Sequence, residues 1–340
     1  MELGGGATEH PRKRKAAAAE EVEDDGHEEG LISVEVVEGS KHSDGYIFRL
    51  DVHPLHEMYR LNDTRETRLG PMRVSDPTDI CHPCWTACRQ HVGCSMMQIF
   101  SLKLSNLPRG AATGHGPIQL YGFMAVRDLL DPLRNYVFNR SRDNPFTIQD
   151  LHSDPFIYLS GPTRGIYLQR PVLIEYDLRI KQEGGRKHDD LQLIDGAATF
   201  SELTFIQGAT TNRIDGDGGA RVDIARALLP QSVEATVEVW MSKLGCHSSD
   251  LELIITGFVG RIPEEIKVFR GTIGGLRDPK KFVVAVRLRS ALFLYFKAPG
   301  LGADPICKFA FRAVAHGGTS EFCDLDSLSV DVKVTWSNLY

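Results

Sequence analysis

Six residues in a stretch of fourteen could hold a metal: Cys81, His82, Cys84, Cys88, His91 and Cys94 in CHPCWTACRQHVGC. Cys81-x2-Cys84 followed by His91-x2-Cys94 offers three thiolates and an imidazole, a donor set for tetrahedral structural zinc. Six residues separate the two pairs, a tight spacing that compact knuckles achieve. Such a zinc would organise a stretch with little core of its own. The competing reading is a set of reduced, partly buried cysteines beside a strand. Cys246, Cys307 and Cys323 are dispersed near strand-like text, so ordinary core packing is expected of them.

Other charged clusters suggest weaker chemistry. Asp215-Gly-Asp-Gly-Gly219 resembles the start of a calcium loop, but Ala220 and Arg226 stand where the helix–loop–helix version needs glycine and glutamate. A Gly-rich turn is the better reading. Asp128, Asp131 and Asp143 could line a calcium rim, were they not crowded by Arg127, Arg134, Arg140 and Arg142. Those arginines, with Tyr136 and Phe138, could instead meet RNA phosphates and bases, a case weakened by the same acids. Leu159–Gly165 lacks the context and ending of a phosphate loop and reads as a turn. No Ser/His/Asp arrangement stands at a recognisable spacing. Arg12, Lys13, Arg14 and Lys15 form a basic cluster suited to the acidic groove of a nuclear-import receptor; a plain solvated charge run is the alternative.

Composition sets the frame for these groups. The chain has 340 residues, a net charge of −6, and 42% hydrophobic and 25% charged residues, values ordinary for a globular protein. That charge disfavours a general nucleic-acid-binding surface. No window approaches a membrane span, and the first residues lack a secretory apolar core. The expected location is nucleus or cytoplasm, not secreted, with cysteines mostly reduced. Residues 1–30, nearly devoid of large apolar side chains, read as a disordered charged tail. Residues 31–95 read as a loosely structured segment carrying the Cys/His cluster, and 96–340 as a β-rich domain.

The strand signal is period-two alternation. Ile32, Val34 and Val36 alternate with polar residues, as do Phe48, Leu50 and Val52. The pattern is stronger at Phe100–Leu104, Val172–Ile180, Val233–Val239 and Leu328–Trp336. Ala291–Phe296 is near-continuously apolar, as in a strand covered on both faces. Arg221–Leu229 is ambiguous between helix and strand, with strand favoured. Gly- and Pro-rich clusters punctuate these runs. The expected fold is all-β, an antiparallel sandwich or barrel. Ile118–Phe138 and Ile254–Phe269 share the order strand, Gly-Phe, turn, strand, which hints at internal duplication.

The stretches YGFMAVRDLLDPLRNYVFNRSRD (121–143), LSGPTRGI (159–166), IEYDLRIK (174–181), SVEATVEV (232–239) and VDVKVTWS (330–337) closely resemble a family expanded in grasses that carries a C-terminal domain of unknown function. In some cereal members, including jasmonate-induced ones, this domain follows a ribosome-inactivating N-glycosidase domain. The resemblance covers about residues 96–340 and implies a β-rich plant domain linked to stress or defence. It assigns no catalytic residue. N-glycosidases place Glu-Ala-Ala-Arg on a helix, where carboxylate and guanidinium stabilise an oxocarbenium-like transition state. Asp223-Ile-Ala-Arg226 is the nearest match here, with a shorter acid and Pro230 close behind. The first expectation is therefore a non-enzymatic interaction module for a protein partner. An rRNA N-glycosidase by analogy, and an RNA- or translation-machinery-binding domain, are the alternatives.

Overall fold

The computed structural model describes residues 31–47, 54–71, 91–111, 116–182, 184–201, 208–243, 252–272, 279–301, 304–325 and 328–339. It is mostly antiparallel β-sheet, as the alternation predicts. Four short strands come first: β1 (Leu31–Ser33), β2 (Glu35–Val36), β3 (His42–Ser43) and β4 (Tyr46–Ile47). A one-turn helix, α1 (Pro54–Met58), follows.

The first lobe is built from β5 (Cys94–Asn106), β6 (Ile118–Arg127), β7 (Asn135–Arg140), β8 (Phe146–Ile148), β9 (Phe156–Ile157), β10 (Ile166–Tyr167), β11 (Val172–Ile180), β12 (Leu191–Phe200) and β13 (Thr210–Asp215). The 23-residue β14 (Arg221–Lys243) closes this lobe and opens the next. Arg221–Leu229 is thus strand, as favoured. The second lobe continues with β15 (Glu252–Val259), β16 (Ile266–Thr272), β17 (Lys280–Arg287), β18 (Ala291–Lys297), β19 (Cys307–Arg312), β20 (Gly317–Leu325) and β21 (Leu328–Ser337).

Each lobe is a sandwich with its own core. Leu102, Leu104, Val222 and Ile224 face Leu120, Met124, Ile174 and Leu178 in the first. Val237, Val239, Val332 and Val334 face Ile255, Leu292, Leu294 and Phe309 in the second. Between the lobes β14 shifts register at Pro230 and Gln231, the latter at φ 50°. A proline has no N–H for a ladder, so a bulge is where it is tolerated. The Ser232 hydroxyl donates to the Leu229 carbonyl at 3.0 Å across the bulge.

The two lobes repeat one wiring. In the first, β14 pairs β5 and β13, β6 pairs β7 and β11, and β11 pairs β12. In the second, β21 pairs β14 and β20, β15 pairs β16 and β18, and β18 pairs β19. The Gly-Phe echo marks corresponding hairpins, β6–β7 and β15–β16. The lobes differ at their edges. On the first, β1 adds to β13 in parallel and β2 adds to β12. On the second, β20 and β19 end their sheets, with no further strand among the described residues.

Two expectations need adjustment. Val172–Ile180 reads as half-buried, yet Leu173 and Glu175 on its other face are also fully buried. The cause is the segment before residue 71: Val37, Ile47, Tyr59 and Leu61 pack over Leu173 and Ala197. Conversely, Ala291–Phe296 is fully covered on one face only, with Leu292, Leu294 and Phe296 buried and Ala291, Phe293 and Tyr295 intermediate. The expectation of separate, reduced thiols at 307 and 323 is also corrected: Cys307 in β19 and Cys323 in β20 form a disulfide. The sheets bring them together across a gap of 16 in sequence, which spacing alone does not reveal. Phe48–Val52 and residues 1–30 lie outside the described residues.

Candidate functional site: an aromatic-walled face beside an open edge

Most charged groups in the first lobe are engaged internally. Glu175 lies fully buried between Arg134, whose Nε sits 2.6 Å from Oε2, and Arg127, at 3.2 Å. Burial would raise the Glu175 carboxyl, but the two guanidiniums outweigh it and hold it below the usual range. Arg127 also donates to the carbonyls of Tyr59, Arg60, Pro132 and Asp63, fixing the turn after α1 over the sheet. His42 bridges Asp195, at 2.7 Å, toward Glu175, at 4.0 Å. Asp128 receives Arg164 through two bonds of 2.7 and 2.9 Å. Arg164 comes from the LSGPTRG turn. There a Cβ on Gly161 would stand 1.9 Å from the Tyr136 carbonyl oxygen, so glycine is required for close approach.

These contacts locate several sequence-derived candidates. Arg127 and Arg134 are buried and paired, and Phe138 is buried, so they do not form an outward RNA patch. Asp128 serves Arg164, and Asp131 accepts from the Thr67 hydroxyl at 2.7 Å. Asp215–Gly219 is a turn whose acids meet Arg221 and Lys41. Asp223 and Arg226 stand on a strand, three positions apart and hence on opposite faces. Asp223 accepts from Ser105 at 2.5 Å, whereas Arg226 donates to Asn212 at 2.8 Å and lies over the Phe200 ring. The acid and the guanidinium therefore do not converge on one substrate position.

Of the metal candidates, Cys81 and Cys84 lie outside the described residues, as do Arg12, Lys13, Arg14 and Lys15. Cys94 opens β5 inside the second core, where burial, with Asp128 and Glu234, pushes its thiol up to about 12. His91 is buried with its ring edge-on to His316, centroids 5.6 Å apart. Among the described residues no three potential ligands cluster.

Arg142 belongs to another internal unit. Asp190 accepts from its Nε at 2.6 Å and Nη2 at 3.1 Å, from the Gln182 N–H and from the Tyr121 hydroxyl. Burial acts to raise the carboxyl, but these donors lower it to about 2. A carboxylate depressed in the folded state stabilises fully above its unfolded value, near 3.8, and that stability is lost as pH falls from there through about 2. Asp190→Asn should therefore flatten this part of the acid limb, measured as urea midpoints between pH 5 and pH 2. An unchanged acid limb would show that Asp190 does not carry it.

Of the large exposed aromatics among the described residues, Tyr46, Trp240 and Phe322, the last two share the outer face of β14, β21 and β20. Trp240 and Phe322 are 39% and 74% exposed. Both are register partners of Asp331 in the middle strand, so the three form one row. Two inter-strand spacings set the aromatic Cα atoms about 10 Å apart. Asp331 is exposed between them and has no ion-pair partner among the described residues. In the next row Lys333 is already paired with Glu238 at 3.8 Å. On the other side Ser329 donates to Asp324 at 2.5 Å. Trp240 and Asp331 line an open depression of about 620 Å³ together with Ser320, Ser329 and Lys333. Sequence alternation does not show that separate stretches align Trp240 and Phe322 on one carboxylate.

Fold and site together define a double β-sandwich with an aromatic-walled acidic face. The chain belongs to the family defined by a domain of unknown function (DUF6598), whose model matches residues 96–334. No curated protein matches it. Among solved structures, a human GIVD cytosolic phospholipase A2 is similar at 9% identity and TM-score 0.24, over 72% of this chain and 33% of that one. This chain thus spans about a third of the phospholipase's length. A two-domain structure of Extended-Synaptotagmin 2 matches at 9% identity and TM-score 0.25, over 81% of this chain and 100% of that one. Scores this low carry no structural or functional argument. No helix among the described residues is long and apolar enough to cross a membrane.

Proposed function

We propose that the chain is a non-enzymatic interaction module that grips a cationic side chain of a protein partner between Trp240 and Phe322, over Asp331. The observation that carries this reading is the shared row of two exposed aromatics and one exposed acid. A cation midway between the rings would lie about 5 Å from each, within the roughly 6 Å over which a ring face attracts it, and Asp331 would supply the counter-charge. The acids and arginines of the first lobe give further support, because they are engaged in holding the fold. The setting proposed is a plant stress or defence response in the nucleus or cytoplasm, where the Cys307–Cys323 bond would be open to reduction. The resemblance to cereal proteins and the Arg12–Lys15 cluster support that setting.

The test is selection of random displayed dodecapeptides on the full chain. The expected consensus contains arginine or lysine, and Asp331→Asn or Trp240→Ala should each weaken the selected peptide about tenfold, in line with 1–2 kcal/mol for a partly desolvated cation over a ring. A consensus without a basic residue, indifferent to both substitutions, would overturn the reading.

A further inference from the structure

The repeated wiring makes the two lobes controls for each other. In the first lobe both edge strands are covered: Leu31–Ser33 run parallel to Thr211–Arg213 of β13, and Glu35–Val36 then pair with Thr199 and Ala198 of β12. Six consecutive residues thus cross the open side of that sandwich from one sheet to the other, and Val34 packs against the core at the crossing. In the second lobe β20 and β19 hold the positions of β13 and β12. Neither has an added strand among the described residues.

β20 carries only part of the usual protection of a free edge. Proteins blunt such edges with lysine, proline, bulges or short length, because unpaired N–H and C=O groups recruit other strands. The nine residues GGTSEFCDL hold two charges, Glu321 on the face of Val332 and Asp324 on the outer face, but neither lysine nor proline, and their register with β21 is unbroken. The strand carries the most exposed large apolar side chain among the described residues, Phe322. The Cys307–Cys323 disulfide lies toward one end of this side, where β19 begins and β20 nears its close. In the first lobe the crossing follows Arg213, the fourth residue of β13, and precedes Thr199, the last but one of β12. By correspondence it would fall near Ser320 and Phe311, short of the disulfide.

We infer that an extended segment of a partner polypeptide, about six residues with an apolar residue at the crossing, adds in parallel to β20 and passes onto β19, as residues 31–36 do on β13 and β12. This deepens the proposed function and rests on it, since Phe322 belongs to both surfaces. Main-chain bonds to β20 supply the grip. Trp240, Phe322 and Asp331 then select a basic side chain on the outer face.

Hydrogen exchange of the full chain, alone and with a peptide from the dodecapeptide selection, tests the inference. Amides of residues 317–325 should slow at least tenfold on binding. N-methylation of alternate peptide residues should weaken binding at least tenfold in one phase and leave it unchanged in the other, because alternate N–H groups face the edge. Peptides that depend on Asp331 but leave those amides unprotected would overturn the inference and spare the reading above. Protection without any dependence on Asp331 would do the reverse. If no peptide is enriched, both fall. A chain that sediments at twice 37.8 kDa, and returns to monomer on Phe322→Glu, would place a second copy on the edge and overturn the partner segment.

Discussion

Glu175→Gln is expected to lower stability by about 3–5 kcal/mol, the usual consequence of removing one member of a buried ion pair. The effect should be large because Arg127 and Arg134 stay behind in a site with no solvent access, each deprived of its counter-charge. The amide occupies nearly the same volume, so little of the loss arises from packing. Urea unfolding at neutral pH measures it directly. As a comparison, Asp217→Asn breaks the exposed Lys41–Asp217 pair and should change stability by no more than about 1 kcal/mol. The pH sign follows from the depressed Glu175 carboxyl: its contribution is present above the ordinary carboxylate range and disappears as pH falls through the folded value. If Glu175→Gln unfolds at nearly the wild-type urea concentration, the cluster is not closed to water as described.

The second large effect concerns the Cys307–Cys323 bond. Opening it by Cys323→Ser should reduce stability by about 3 kcal/mol, the expectation for a cross-link closing a loop near 15 residues; here the separation is 16. Reductant should produce the same loss in the wild type and no further loss in the variant. The effect should also be local. β20 is held laterally by β21 and tied to the opposite sheet through Cys323, so its amides should exchange faster once that tie is gone, while those of β11 should not change. Equal acceleration in both strands would mean that the bond stabilises the chain globally and does not anchor the edge.

The strands were legible in the sequence because alternation is a local signal. Val330, Val332 and Val334 announce both their strand and the face that meets the core. The duplication was faintly legible in two Gly-Phe hairpins. Its full extent was not, because it lies in which strands pair, and pairing is a property of distant residues. Glu175 illustrates the same limit. Alternation marks it as solvent-facing, and that would hold had Tyr59 and Leu61 not folded over the outer face of its sheet. Arg127 and Arg134 stand in conspicuous text whose charges suggested an outward ligand, and the ligand proved to be an acid of the same chain. The aromatic row draws Trp240, Phe322 and Asp331 from three strands, so no motif could contain it.

β14 leaves no linker between the lobes. At about 3.3 Å per residue, its 23 residues amount to a ruled axis on which one sandwich ends and the other begins. Neither half can be excised or exchanged without removing a strand from its neighbour. Recombination that shuffles modules at flexible joints therefore has no place to cut between them.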